Sequence, residues 1–223
     1  IAVIATALEE DTAPFPWLKH TDYRSFNLAA ADTEEDLFAR FGEPDFLCHL
    51  AWEGLPRYRE LFHFETNLPR HYRFIKNLVS HGLSNVTVAG TCLEYGMREG
   101  LLTEDLSPQP DNAYALAKNT LRCFLLELRR TVPFSLKWPR LFYLYGPGQS
   151  PRSLLPQLDA ALEANLPVFN MSKGDQERDY LPVEEAADKL ARIATQSAVE
   201  GIINCCSGQP VTVTSLVQRH LDE

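Results

Sequence analysis

No apolar run of membrane-spanning length occurs in the 223 residues, and the opening residues show no signal-peptide pattern. A membrane partner is therefore not expected. Basic residues are in deficit, with 21 Lys and Arg against 30 Asp and Glu and a formal charge of -9. A nucleic-acid-binding surface needs a basic footprint, so that partner class is excluded as well. The five cysteines, Cys48, Cys92, Cys123, Cys205 and Cys206, are odd in number and form no C-x-x-C. Neither a disulfide framework nor a zinc site is expected, and the six histidines show no metal-ligand spacing. A reducing cytoplasm is the default location. Cys48 and Cys123 lie among apolar neighbours and read as core fillers. Repeats and low-complexity segments are absent too.

What remains is an ordinary globular composition, 45% hydrophobic and 23% charged. Short apolar strands are expected at Ile1–Thr6, Arg24–Ala29, Asp45–Leu50, Asn85–Thr91, Phe134–Arg140 and Gly201–Cys205. Helical spacing falls at Thr33–Phe41, Phe64–His81, Asn112–Arg130, Pro151–Asn165 and Val183–Ser197, with Gly82 as a stop and Asp111 as an N-cap. Such alternation predicts an α/β fold, a doubly wound parallel sheet of Rossmann type. Residues 1–145 are expected to form a dinucleotide-binding domain. Residues 146–223 are expected to form a smaller C-terminal substrate lobe, with 183–205 returning to the sheet.

One further absence concerns glycine. A dinucleotide fold opens with a strand, a glycine-rich turn and a helix whose N-terminus holds the pyrophosphate. None of the eleven glycines forms that fingerprint, and Ile1–Thr6 runs into Glu9-Glu10-Asp11, Pro14 and Pro16. Ile1–Thr6 is therefore expected to be the second strand of the fold. The first strand, glycine turn and first helix are expected to precede Ile1.

The strongest chemical signal runs from Asn85 to Lys118. A strand ends at Thr91, and a helix further on carries Tyr114 and Lys118, an i,i+4 pair that shares one face. Thr91, Tyr114 and Lys118 suit hydride chemistry at a C–OH/C=O centre. A phenol of pKa near 10 must fall by about three units, roughly 4 kcal/mol, to act near neutral pH. An ammonium at ~4 Å supplies about 4 kcal/mol at an effective dielectric of ~20, so Lys118 is expected to depress the Tyr114 pKa. The bare Y-x-x-x-K pattern would arise by chance about 0.2 times in a chain of this composition, so its position after the Thr-ended strand carries the weight.

In that arrangement the sequence resembles the extended short-chain dehydrogenase/reductases, the epimerase/dehydratase group that acts on nucleotide sugars. Asp45-Phe46-Leu47-Cys48-His49-Leu50-Ala51-Trp52 is similar to the family's "D-x-hydrophobic-x-H-L-A-A", which implies that Leu50, Ala51 and Trp52 touch the cofactor. Trp52 replaces the usual small residue. The resemblance likewise assigns Asp32 to the adenine, with a helix N-cap as its competing role, and Asn67 to the cofactor side, with an exposed helical Asn as the alternative. Tyr114 and Lys118 would also contact the cofactor, NAD or NADP. Trp138 to Gly148 resembles "R-x-F-N-x-Y-G-P-G", with Tyr143 standing where an Asn contacts the substrate diphosphate. Arg178-Asp179-Tyr180 resembles "R-D-[FY]", in which the Arg grips that diphosphate; a surface Arg–Asp pair is the plainer alternative.

The resemblance thus implies an enzyme on a nucleotide-sugar substrate, with Thr91, Tyr143 and Arg178 toward the substrate and no metal. Family dehydratases carry Asp-Glu directly after the catalytic Thr, where this chain has Cys92 and Leu93, so dehydration is disfavoured. Glu94 is one residue out of that register. Reduction of a 4-keto sugar is the leading expectation, epimerisation the second, and a non-catalytic dinucleotide or sugar-nucleotide sensor the third. The helices Phe64–His81 and Asn112–Arg130 pair across a two-fold axis in the family, so a homodimer is expected.

Overall fold

The computed structural model describes residues 1–9, 16–31 and 33–222. Its main sheet contains β3 (Leu47–His49), β4 (Asn85–Val88), β5 (Gly90–Thr91), β6 (Ser135–Leu141) and β10 (Gly201–Cys205). The order is β10-β6-β4-β3, with β5 also on β6, and every pair is parallel. A separate parallel pair joins β1 (Ile4–Ala5) to β2 (Asp22–Tyr23). Between these strands lie α1 (Leu37–Arg40), α2 (Leu68–Ser80) and α3 (Ala113–Leu128).

The C-terminal part adds β7 (Tyr143–Tyr145), α4 (Leu154–Glu163), β8 (Glu177–Arg178), β9 (Tyr180–Pro182) and α5 (Val183–Thr195). After β10 come β11 (Val211–Thr212) and α6 (Val213–Asp222). Strand β7 pairs with β9 in parallel, and β8 with β11 antiparallel. The expected α/β fold with a parallel sheet is thus present.

Alternation along the strands builds two faces. Val86, Val88, Leu136 and Trp138 join one core cluster with Phe74, Ile75, Leu78, Leu121 and Leu125 from α2 and α3. On the opposite face lies α5, where the buried Lys137 donates Nζ–H to the Ala194 carbonyl at 3.2 Å. Helices therefore cover both sides, which is what a buried parallel sheet requires.

The expected strand Asn85–Thr91 is broken at Ala89, which by register falls opposite Pro139. The Ala89 N–H donates toward β3, to the His49 carbonyl at 3.0 Å.

Other expectations need correction. The strand expected at Arg24–Ala29 lies earlier, at Asp22–Tyr23, because Asn27 accepts from the Ala29 N–H and starts a 3-10 turn at Leu28–Ala30. The helix expected at Thr33–Phe41 is one short turn, α1, capped by Asp36. The N-cap of α3 is Asn112, whose Oδ1 accepts from Ala115, and not Asp111. Cys48 and Cys123 are exposed rather than core fillers. Helix α6 and the two small strand pairs carried no expectation. Among the described residues no helix is long and apolar enough to cross a membrane.

Gly96 closes the 3-10 turn Cys92–Tyr95 at φ 74° and ψ -168°, a region essentially confined to glycine. A Cβ there would stand 2.1 Å from the Gln109 carbonyl oxygen. Gly96→Ala is expected to lower stability by about 2 kcal/mol or more, read as a fall in Tm and in the urea midpoint.

Candidate active site

Parallel strands deliver their carboxyl ends to one edge of the sheet, where ligands bind in open α/β folds. That edge collects Thr91 from β5, the Leu50–Trp52 segment after β3, and Tyr143 just beyond β6. The first two turns of α3 bring Tyr114 and Lys118 alongside. Tyr114 is held at the helix start, where its N–H donates to the Tyr58 carbonyl at 2.9 Å. The Thr91 side chain is within hydrogen-bonding reach of the Tyr114 phenol.

Lys118 is 2% exposed and lies between two indoles, 4.5 Å from the Trp52 ring centroid and 5.5 Å from that of Trp138. Burial lowers its pKa to about 8, with the Glu94 carboxylate opposing the fall. The Tyr114 phenol goes the other way. Burial first, then the Glu94 charge, raise its pKa above the ordinary value, against the hydrogen bond with Thr91. The expected depression of the phenol by Lys118 is therefore overturned. Removal of the phenol from water sets the direction of its shift.

Three buried groups escaped the sequence reading. Glu94, fully buried, accepts from the Thr91 N–H at 2.9 Å, from Trp138 Nε1–H at 2.9 and 3.1 Å, and from Arg140 Nε–H at 3.0 Å. Its signal was the T-x-x-E spacing of Thr91 and Glu94, which forms a capping box here. His49 and His71 meet at 2.7 Å, and Trp52 stacks on His71 at 4.5 Å. Burial pushes both histidines down, to about 3 and about 2, aided at His71 by His49 and at both by the Lys118 charge, so both are neutral. Nothing in the sequence pairs these two histidines.

The remaining expected residues fall in different places. Leu50 and Ala51 are exposed at the end of β3, open to a ligand. Asn67 is 1% exposed, and its side-chain N–H donates to the Glu53 carbonyl at 2.9 Å, so it tethers the loop after β3 and is not the exposed helical Asn of the alternative. Asp32 lies outside the described residues. Burial pushes the Cys92 thiol up to about 12.

Tyr143 and Arg178 come together, the guanidinium 5.4 Å from the ring centroid. They line a cavity of about 380 Å³ with Phe169, Asn170, Gln176 and Tyr180. A surface pair of Arg178 with Asp179 is not what forms. The Asp179 carboxylate accepts from the backbone N–H groups of Ser207 and Gly208, each at 2.7 Å.

The family model for the NAD dependent epimerase/dehydratase family matches residues 2–206. The chain belongs to that family. It is 28% identical over 179 residues, 79% of its length, to a dTDP-6-deoxy-L-talose 4-dehydrogenase (NAD(+)) of Aggregatibacter actinomycetemcomitans. A GDP-6-deoxy-D-talose 4-dehydrogenase of the same organism is 24% identical over 180 residues, again 79% of this chain. The chain spans less than two thirds of these relatives, 65% and 60% of their lengths. The fold is shared with a UDP-N-acetylglucosamine 4-epimerase from Methanobrevibacter ruminantium M1, solved in complex with UDP-N-acetylmuramic acid. That match has a TM-score of 0.83 at 20% identity and covers 97% of this chain and 72% of that one.

The Lys118 burial has a consequence for stability. Its pKa is about 8 in the fold against 10.5 for the free side chain, so between these values the unfolded chain binds more protons. Stability from this residue therefore rises with pH across that window, by about 3 kcal/mol in all, and the burden of the buried charge is full below pH 8. Urea unfolding at pH 7 to 10 is expected to show this rise, and Lys118→Met is expected to flatten it.

Proposed function

We propose that the protein is an NAD(P)-dependent oxidoreductase that reduces the 4-keto group of a nucleotide-linked 6-deoxy sugar. The observation that carries this reading is the Tyr114 phenol beside the Thr91 hydroxyl at the carboxyl edge of the sheet, with Lys118 buried behind it. A carbonyl gaining a hydride needs one proton donor at its oxygen, and the Tyr114 phenol beside Thr91 is the hydroxyl so placed. Thr91 holds the same oxygen by a hydrogen bond. The two talose 4-dehydrogenases support the choice of C4, since oxidation of a 4-hydroxyl is this reaction reversed. Their nucleotides differ, so neither dTDP nor GDP is preferred.

The residues at the edge fit the nicotinamide end of a dinucleotide: a buried lysine, a phenol, and an exposed ledge at Leu50 and Ala51. Bound there, the dinucleotide would supply the hydride. Tyr114 and Lys118 would hold its ribose, and Trp52, bulkier than the family's alanine, would wall the site. Arg178 would grip the substrate diphosphate in the cavity it shares with Tyr143. In this reading residues 1–145 bind the dinucleotide and 146–223 mainly the substrate, with 183–205 on the sheet. The protein works in the cytoplasm.

The test is incubation with nucleotide-linked 4-keto-6-deoxy sugars and NADH or NADPH, following the loss of reduced nicotinamide absorbance. One reduced nicotinamide is expected to be consumed per product. Interconversion of two fully hydroxylated nucleotide sugars without added reductant would establish the epimerase instead. Tyr114→Phe is expected to fold normally and lose at least a factor of about 10² in turnover. Full turnover in that variant would favour the sensor.

We also propose a homodimer through α2 and α3. Leu116, Cys123, Phe124 and Leu126 are exposed on the side of α3 away from the sheet, and Phe124 packs edge-on against Tyr72 of α2. Light scattering at micromolar concentration is expected to give twice the chain mass, and Phe124→Glu to give the monomer.

A further inference from the structure

Glu94 raises a question that neither the fold nor the proposed chemistry answers. A fully buried carboxylate is costly to desolvate, and an ion pair inside a protein often does no better than apolar packing. Holding β5 to β6 would account for its bond to Arg140, but the remaining contacts lead toward the reacting residues. The Thr91 N–H donates to Oε1 at 2.9 Å. Trp138, whose indole N–H the same carboxylate accepts, presents its ring to the Lys118 ammonium at 5.5 Å. The backbone is shaped to admit the acid as well. A Cβ on Gly90 would fall 2.3 Å from Trp138 Nε1 and 2.8 Å from Glu94 Oε1.

We propose that Glu94 is a positioning residue, whose single carboxylate fixes the Thr91 backbone and places a negative charge behind the Trp138 indole that covers Lys118. The inference rests on reading Thr91, Tyr114 and Lys118 as the reacting set.

The groups acting on Lys118 are few. His49 reaches it from β3 and His71 from α2, and both are neutral. Glu94 supplies the negative charge that favours the ammonium, against the burial that opposes it. The same charge opposes ionisation of Tyr114, so the Glu94 carboxylate acts on the lysine and the phenol together.

The experiment reads Lys118 directly and requires no substrate. Protein carrying 13C-labelled lysine is titrated by NMR from pH 6 to 11, and the Lys118 signal is the one missing from Lys118→Met. In the wild type its midpoint is expected near 8. In Glu94→Gln the Lys118 midpoint is expected to move below the wild-type value while the other lysine signals stay in place. A midpoint unchanged in a folded Glu94→Gln variant would overturn the proposal and leave Glu94 a structural ion-pair partner. If that variant does not fold, the double variant Glu94→Gln with Arg140→Gln removes the buried ion pair as a unit, so that Arg140 is not left without its carboxylate. The same downward movement is expected there, and its absence overturns the proposal equally. A failed reductase assay with a shifted Lys118 midpoint would count against the reaction proposed above and not against the role of Glu94.

Discussion

An ammonium that is 2% exposed cannot lean on water, and much of the arrangement around α3 serves to replace that water. Two indole faces supply quadrupole attraction, Glu94 supplies opposite charge, and two histidines nearby have given up their own protons. These groups come from β3, the loop after it, α2, the turn after β5, and β6. Lys118 therefore draws on most of the elements at the carboxyl edge of the sheet.

The site is drier than a pairwise reading of its charges implies. A phenol and an ammonium one helical turn apart invite the inference that the second ionises the first. Here desolvation dominates both, and the two groups move apart in opposite directions, with the lysine easier to deprotonate and the tyrosine harder.

Much of this was legible in the residues. Strand and helix periods placed β3, β4, β6, β10, α2, α3 and α5 close to where they lie, and Gly201–Cys205 matched to the residue. The Thr91, Tyr114 and Lys118 set was visible because its spacing follows from helix geometry and strand order. Glu94 was passed over because it was judged only against a dehydratase pattern, although its three-residue spacing from Thr91 is a local signal. The His49–His71 contact depends on how a strand end meets a helix 22 residues later, which no local period encodes. Ala89 opposite Pro139 is likewise a matter of register between strands. Cys48 and Cys123 misled because apolar sequence neighbours do not fix which way a side chain points.

The π turn His63–Asn67 sets three side chains four residues apart, His63, Asn67 and His71, in one buried row. His63 accepts from Trp52 Nε1–H at 3.0 Å, Asn67 donates to the Glu53 carbonyl, and His71 stacks on Trp52. Arg70 adds an ion pair to Glu53 at 3.6 Å. The segment carrying Ala51 and Trp52 is thereby riveted to α2 and cannot swing as a free lid. Any shift of that segment would have to carry α2 with it, and through Tyr72 and Phe124 the movement would reach the outer surface of α3. The site edge and the far helical face are thus joined by one continuous run of contacts through α2.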